Sequence, residues 1–318
     1  MTSTSFEGPE KKLEIIFLSP QPDLRSNHDR RWDKVAEASG SKIISKISGT
    51  YMDAYLLSES SLFVWEDAIL MITCGQTSLV NALPEILNLI DRSNVSFVFY
   101  ERKNFLFPRE QPSDFEQDVS RILEFFPGKS YRLGPANHDH LHVFYWASPE
   151  AVTQPDATLQ ILMNNLDPSV MKFFSREHIK TAEQAGKNSG LYGLCPRNKM
   201  ISDDYLFSPY GYSLNGISDK NYFTVHVTPQ TICSYASFET NIIEENYSHV
   251  IRDVTSIFRP AKFSLVLTTS MEHSFVLLHS TVKNVLPGYT MTEKSMYGFD
   301  SGYTVTFLNY IFSRESEH

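Results

Sequence analysis

The chain has 318 residues, 42% of them hydrophobic and 13% aromatic, with a formal net charge of -9. That length permits one large domain or two medium ones, and the acidic balance argues against a general nucleic-acid or anionic-membrane surface. Three cysteines, Cys74, Cys195 and Cys233, are far apart and form no Cys-x-x-Cys pair. This disfavours a disulfide framework or a structural zinc site and points to a reducing compartment. No apolar run approaches the roughly 18 residues of a membrane span, and the start lacks a signal-peptide pattern. A cytoplasmic protein with no membrane partner is the expectation.

In chain order, β-type runs of Val, Ile, Phe, Tyr and Thr open at Leu13 to Leu18 and Lys42 to Ile47. The segment from Tyr55 to Val64 holds three serines, Ser58, Ser60 and Ser61, among strand formers and reads by itself as a polar edge strand. Ala68 to Thr73 follows, then a helical stripe in Ser78 to Asp91 whose start Pro84 must delay or kink. Beyond the run Val95 to Tyr100, a second helix is expected over Ser113 to Phe126, capped by Ser113. Leu141 to Trp146 reads as a strand, and the polar stretch Ser148 to Thr158 could link two similar halves, 1–150 and 151–318. The second half offers the run Tyr222 to Val227 and a helix over Tyr247 to Phe258. The runs Phe263 to Thr268, Phe275 to Leu278 and Tyr303 to Tyr310 follow. Strands outnumber helices in this order, which gives an α+β class with antiparallel sheets covered by helices. No sequence repeat demonstrates a duplication.

Two hairpins set chemistry-bearing residues side by side. If Glu66 and Asp67 turn the chain, a hairpin centred on residue 67 sets Ser60 opposite Cys74. In the second, Ser218-Asp219-Lys220-Asn221 forms the turn and Ser213 faces His226. Asn137-His138-Asp139-His140-Leu141-His142 puts alternate histidines on one strand face, but no second cluster stands at ligand spacing, so no metal is expected.

Seven motifs carry a resemblance. They are Leu57-Ser58-Glu59-Ser60-Ser61, Thr73-Cys74-Gly75, Tyr100 with Arg102-Lys103-Asn104-Phe105, Gln154-Pro155-Asp156, Gly211-Tyr212-Ser213-Leu214-Asn215-Gly216, His226-Val227-Thr228-Pro229 and Ser237-Phe238-Glu239-Thr240-Asn241. With the start Phe6-Glu7-Gly8-Pro9-Glu10-Lys11, they resemble the eukaryotic S-adenosylmethionine decarboxylases, in family order from residue 6 to about residue 263. The resemblance implies a four-layer αββα sandwich of two antiparallel sheets. It also implies a proenzyme that cuts itself between Glu59 and Ser60 into a β chain of 1–59 and an α chain of 60–318.

The chemistry accounts for the residue types. Decarboxylating an amino acid leaves a carbanion that needs an electron sink, and a ketone joined to the substrate amine as a Schiff base supplies one. The cofactor implied is a covalent pyruvoyl group made from Ser60, with no metal and no pyridoxal phosphate. The Ser60 hydroxyl attacks the Glu59 carbonyl, the peptide becomes an ester, and loss of the Ser60 α-proton expels the Glu59 carboxylate. The dehydroalanine left behind hydrolyses to pyruvoyl and ammonia.

By the same resemblance His226 is the base of the elimination, Ser213 hydrogen-bonds the acyl-shift intermediate and Cys74 protonates the substrate carbon. Glu7 and Glu10 assist. Phe6 and Phe207 sandwich the adenine, while Glu59 and the backbone of Leu57 meet its edge. Gln230 stands where the family has a ribose-binding glutamate. Glu14, Asp156 and Glu239 match a buried putrescine site, but Gln160, Ile72 and Thr268 replace a glutamate, a lysine and a phenylalanine there, so weak or absent activation is expected. S-adenosylmethionine is the expected substrate, and the oligomeric state is left open, a homodimer being one assembly it allows. Two rival readings remain open: a catalytically weak paralogue that activates a partner decarboxylase, and a pyruvoyl decarboxylase of another amino acid.

Overall fold

In the computed structural model, which describes residues 6–26, 28–151, 155–194, 200–270, 278–282, 286–300 and 302–313, two eight-stranded sheets form. The first contains β1 (Lys11–Phe17), β2 (Ile43–Ser48), β3 (Met52–Leu57), β4 (Ser60–Trp65), β5 (Ala68–Thr73), β6 (Val95–Lys103), β7 (Lys129–Leu133) and β8 (Leu141–Ala147). The second contains β9 (Ala157–Asn164), β10 (Ile201–Leu206), β11 (Tyr212–Ser218), β12 (Asn221–Thr228), β13 (Tyr235–Thr240), β14 (Lys262–Ser270), β15 (Tyr289–Gly298) and β16 (Tyr303–Phe312). Spatial order in the first is β2-β3-β4-β5-β1-β6-β8-β7; in the second it is β10-β11-β12-β13-β9-β14-β16-β15. Adding eight to each strand number converts one order into the other. The repeat invisible in the sequence is plain in the topology, and every paired strand is antiparallel.

Side-chain alternation makes four layers. On β1, Leu13, Ile15 and Phe17 face one way and pack with Trp32 and Val35 of α1 (Arg31–Ser39), Leu83 and Ile86 of α2 (Ala82–Leu87), and Ile122 of α3 (Phe115–Leu123). A matching core lies under the second sheet, where Val170 of α4 (Pro168–Met171), Ala185 of α5 (Ala182–Ser189) and Ile251, Val254 and Phe258 of α6 (Ser248–Phe258) cover β9, β12 and β14. Between the sheets, Phe63 meets Tyr222 at 4.7 Å and Phe99 meets Tyr303 at 5.0 Å between ring centroids. Such pairs add about 0.5–1.5 kcal/mol beyond their buried area. The expected αββα sandwich is the observed fold.

Local differences have local causes. The helix expected from Ser78 shortens to a 3-10 turn (Leu79–Asn81) and α2, with Pro84 in the first turn where its missing N–H costs nothing. Asp114, not Ser113, caps α3: its side chain accepts from Gln117 N at 2.8 Å while Gln117 Oε1 accepts from Asp114 N at 3.0 Å, a reciprocal capping box. The serine-bearing segment is no edge strand, for β3 and β4 lie inside the sheet and are buried throughout. The half-exposed strands β7, β10 and β15 carry too much polarity to announce themselves. Cys195, Gln154 and most of the run Phe275 to Leu278 lie outside the described residues.

Candidate active site

β3 and β4 are joined by the two-residue turn Ser58-Glu59, which closes Leu57 on Ser60. Two-residue hairpins favour Asn, Asp or Gly because a central residue must take positive φ. Here neither turn residue does, and the positive value, 146°, falls on Ser60. A side chain there is strained by about 1–3 kcal/mol, and the strained residue is the one that follows the Glu59 peptide bond.

The sequence expectation for this hairpin was off by one residue. Trp65 and Ala68 close a tight two-residue turn, so Ser60 pairs with Thr73. Cys74 lies opposite Glu59 instead, and its backbone N–H and thiol both donate to the Glu59 carbonyl, at 2.9 and 3.1 Å. The thiol is buried, and burial together with the carboxylates of Glu59 and Glu10 pushes its pKa well above the ordinary value, so it keeps its proton.

Across the sandwich the second hairpin forms as expected, with Ser213 opposite His226. His226 Nδ1 stands 2.7 Å from Glu10 Oε1, and Ser237 Oγ donates to the same oxygen at 2.6 Å. Nε2 contacts Ser61 Oγ at 2.9 Å and Thr224 Oγ1 at 3.0 Å. Ser60 Oγ is 3.1 Å from both ring nitrogens. All these residues are buried, and the sequence assigns no role to Ser61, Thr224 or Ser237. Their one advance signal is strand parity with Phe63, His226 and Glu239, which places them between the sheets.

Beside them lies a cavity of about 320 Å³ lined by Phe6, Glu59, Ser60, Cys74, Phe207, Tyr210, Ser213, His226 and Gln230 among others. Its size falls in the range of small-molecule sites. Gly75 fixes one wall: with φ at +63° and Phe6 Cε2 only 2.3 Å from where a Cβ would stand, any other residue would drive the ring away. Gln230 donates from Nε2 to the Tyr210 hydroxyl at 2.6 Å, a partner the sequence did not suggest. Burial raises the Glu59 carboxyl to about 7, with Lys11 opposing that rise.

The adenosylmethionine decarboxylase family model matches residues 3–311. The chain belongs to that family. The S-adenosylmethionine decarboxylase proenzyme of Dictyostelium discoideum is 33% identical, over 97% of this chain and 86% of that one. Those of Drosophila melanogaster and Xenopus laevis are each 34% identical, over 98% and 96% of this chain and 96% and 95% of theirs. A crystal structure of a Trypanosoma brucei AdoMetDC-delta26 monomer superposes with a TM-score of 0.65 at 26% identity, covering 80% of this chain and 99% of that one.

The remaining residues that match the decarboxylase pattern divide by location. Glu7 turns away from the cavity and accepts from the backbone N–H groups of Leu106 and Phe107, at 2.6 and 2.8 Å. Burial is the main reason its pKa is raised. The Leu57 side chain sits in the helix-facing core. Glu14, Asp156 and Glu239 gather between the sheets with Glu101 and Lys12. Burial lifts Glu14 to about 8, opposed by Lys12 and reinforced by Asp156, Glu239 and Glu101.

Lys12 was overlooked in the sequence. It is buried, stands 3.1 Å from Glu239 Oε1 and pairs in register with Ile72, the position of the missing lysine. Burial opposes its charge, but Glu239, Glu101 and Glu14 outweigh that and raise its pKa. Gln160 donates to Glu101 Oε2 at 2.7 Å. In the histidine motif, the His142 ring packs at a tilt against Phe115, 4.5 Å between centroids, and His140 meets the His138 carbonyl at 2.7 Å. Among the described residues no three His, Cys, Asp or Glu side chains gather as a metal would require. Nor, among those residues, is any helix long and apolar enough to cross a membrane.

Proposed function

We propose that the protein breaks its own backbone between Glu59 and Ser60 and, as the resulting two-chain enzyme, decarboxylates S-adenosylmethionine for aminopropyl transfer in polyamine synthesis. One observation carries the reading. The Glu59 carbonyl is gripped by two donors from Cys74, beside a strained serine whose hydroxyl touches a buried histidine.

These residues fit the generation of a pyruvoyl group from Ser60. When Ser60 Oγ adds to the Glu59 carbonyl carbon, charge grows on the oxygen that the Cys74 N–H and thiol already hold. Donors preorganised at a developing oxyanion are among the strongest catalytic devices. By the family resemblance Ser213, buried on the cavity wall, adds a third. Collapse breaks the C–N bond, the proton given up by Oγ passes to the freed Ser60 amine, and the ester left behind relieves the φ strain at Ser60. His226, backed by Glu10, then serves as the base for the Ser60 α-proton.

The pyruvoyl ketone supplies the electron sink for decarboxylation. Around it, Phe6 and Phe207 offer two aromatic faces for adenine and the sulfonium, contacts of about 1–2 kcal/mol each. Cys74, which retains its proton, stands ready to protonate the substrate carbon. Gln230 already commits its amide to Tyr210 and replaces a charged acceptor, costing roughly 1–2 kcal/mol of ribose binding.

The activator site is read the same way. Lys12 places an ammonium among the acids that a diamine would seek, so putrescine has little to gain there. The arrangement is coupled to the chemistry, because Lys12 and Glu10 alternate on one face of the chain just as Glu239 and Ser237 do on β13. Lys12→Met should make self-cleavage slower and responsive to putrescine by several-fold; cleavage time courses with and without the diamine decide this.

Mass spectrometry of freshly purified protein, with Ser60→Ala beside it, tests the whole reading. The expected result is two chains for the native sequence, the larger with a reducible keto terminus, and one chain for the variant. CO2 release from carboxyl-labelled S-adenosylmethionine, and not from ornithine or arginine, then fixes the substrate. An uncut native chain would overturn the proposal.

A further inference from the structure

β5 ends at Thr73, the last of its residues paired with both β1 and β4, so Cys74 to Thr77 run beyond both ladders. Buried backbone groups there need other partners. The Cys74 N–H donates to the Glu59 carbonyl and the Gly75 N–H to the Glu7 carbonyl, each at 2.9 Å. The Cys74 carbonyl accepts from Thr77 Oγ1 at 2.9 Å. The carbonyls of Gly75 and Thr77 both turn to one atom, Lys11 Nζ, which donates to them at 3.0 and 2.9 Å.

Lys11 is fully buried, and it sits on β1 opposite Thr73. Its side chain shares the helix-facing side of the sheet with Leu13. Nζ also donates to Gln111 Oε1 at 2.9 Å, and the Phe105 ring lies 4.8 Å away. None of its three hydrogen-bond partners is a carboxylate. Burial, with Arg102 beside it, brings the Lys11 pKa down to about 7, while Asp118, Cys74 and Glu7 oppose that fall. Three acceptors around one nitrogen match three hydrogens, and only the ammonium has three. The cradle therefore selects the charged form against the pull of burial. Two carbonyl oxygens with only Gln76 between their residues repel each other unless a cation stands between them. Without it the turn opens, and Cys74 at its start loses its aim.

We propose that Lys11 positions Cys74: by clasping the carbonyls of Gly75 and Thr77, it holds the Cys74 N–H and thiol on the Glu59 carbonyl while Ser60 attacks. This rests on the self-cleavage reading and deepens it. As Ser60 Oγ bonds to the Glu59 carbonyl carbon, the C=O electron pair moves onto the oxygen beneath those two donors. The C–N bond then breaks, and the hydroxyl proton passes to the Ser60 amine. Lys11 touches none of these atoms, so it is a positioning residue. Cutting after Glu59 would leave Lys11 on the small piece and Cys74 on the large one, with the clasp joining them.

The test uses Lys11→Met, which keeps the side-chain length and removes the ammonium, and it has a kinetic and a spectroscopic arm. In fresh protein the variant should form the Ser60 ester about 10²-fold more slowly, the scale of one lost oxyanion donor. Hydroxylamine, which splits such an ester, should leave its chain whole. Cutting at the native rate overturns the inference. So does a variant that stores the ester, because the loss would then lie in the elimination.

Infrared spectra of the Ser60→Ala protein, with Cys74→Ala in the same background to assign the band, read the thiol directly. The Cys74 S–H stretch should lie at the lower frequency of a bonded thiol and move to that of a free one when Lys11→Met is added. An unmoved band overturns the inference. A native chain that never cuts would sink the cleavage reading instead, and the thiol band would still decide what holds Cys74. If Lys11→Met does not fold, 15N-lysine spectra of the Ser60→Ala protein below pH 7 decide. A slowly exchanging ammonium coupled to the Gly75 and Thr77 carbonyl carbons supports the clasp, and a freely exchanging one overturns it.

Discussion

β3–β4 and β11–β12 are the same hairpin in the two halves of the repeat, and they have diverged in where each holds its strain. In β11–β12 the turn is Asp219-Lys220, and the positive φ of 55° falls on Asp219, a residue type that tolerates it. In β3–β4 the turn residues are relaxed and Ser60 takes 146°, one step past the turn. One hairpin is an ordinary connector whose strands present Ser213, Asn215 and His226; the other carries the bond that the proposed self-cleavage breaks. On the proposed chemistry, the repeated topology supplies two equivalent frames, one for the reacting backbone and one for the groups that move its protons.

Four measurements put this contrast between the hairpins at risk. The largest effect is expected at His226→Gln, which removes the proposed base but leaves the Cys74 grip on Glu59. Pyruvoyl formation should fall about 10²–10⁴-fold while hydroxylamine still splits the chain at Ser60, and a chain inert to hydroxylamine would move His226 into the acyl shift. Next, Ser60→Gly and Ser60→Ala are both unable to cut, but glycine accepts φ of 146° freely. Denaturant melts should find the glycine variant more stable by about 1–2 kcal/mol; equal stability would mean the backbone at Ser60 is relaxed.

Glu14→Gln probes the acid cluster by pH. Because the Glu14 carboxyl is raised to about 8 from 4.5, the fold prefers its protonated form. Its contribution is complete below the unfolded value and is lost as pH rises through about 8. The variant should match the native protein near pH 4 and melt roughly 2–4 °C higher near pH 9. The smallest effect belongs to Asp219→Gly, which relaxes the ordinary turn. Stability should change by no more than about 0.5 kcal/mol and the rate of self-cleavage not at all, as a mass time course would register.

How much of this was legible beforehand varies with the reach of the interactions involved. Strands such as Ala68–Thr73 and the helix after Tyr247 follow from local periodicity. The Ser213–His226 pairing follows from a short turn. Ser60 was misaligned by one residue, since a hairpin centre read without knowing its turn length carries that error. Lys12 and Asn215 escaped notice because each acts across the gap between two sheets, on partners more than 150 residues away in the chain: Glu239 for Lys12, Tyr55 and Ser61 for Asn215. Nothing in the alternation of one strand says what the opposite sheet will present to it. The family motifs gave the proposed catalytic set, but not the hydroxyls and amide that surround its histidine.

The position of β1 governs the fate of the two pieces once the backbone is cut. A cut at the proposed site leaves β1 in residues 1–59, and β1 lies mid-sheet with β5 on one side and β6 on the other, both from the larger piece. The small fragment is therefore woven in, and it can leave only by opening the sheet at its centre. Maturation is then a one-way passage: the intact precursor refolds as a single chain, but the nicked protein, once melted, must find its lost strands, β1, β2 and β3, by collision. Heat should thus retire the mature enzyme for good at dilutions from which its uncut form recovers.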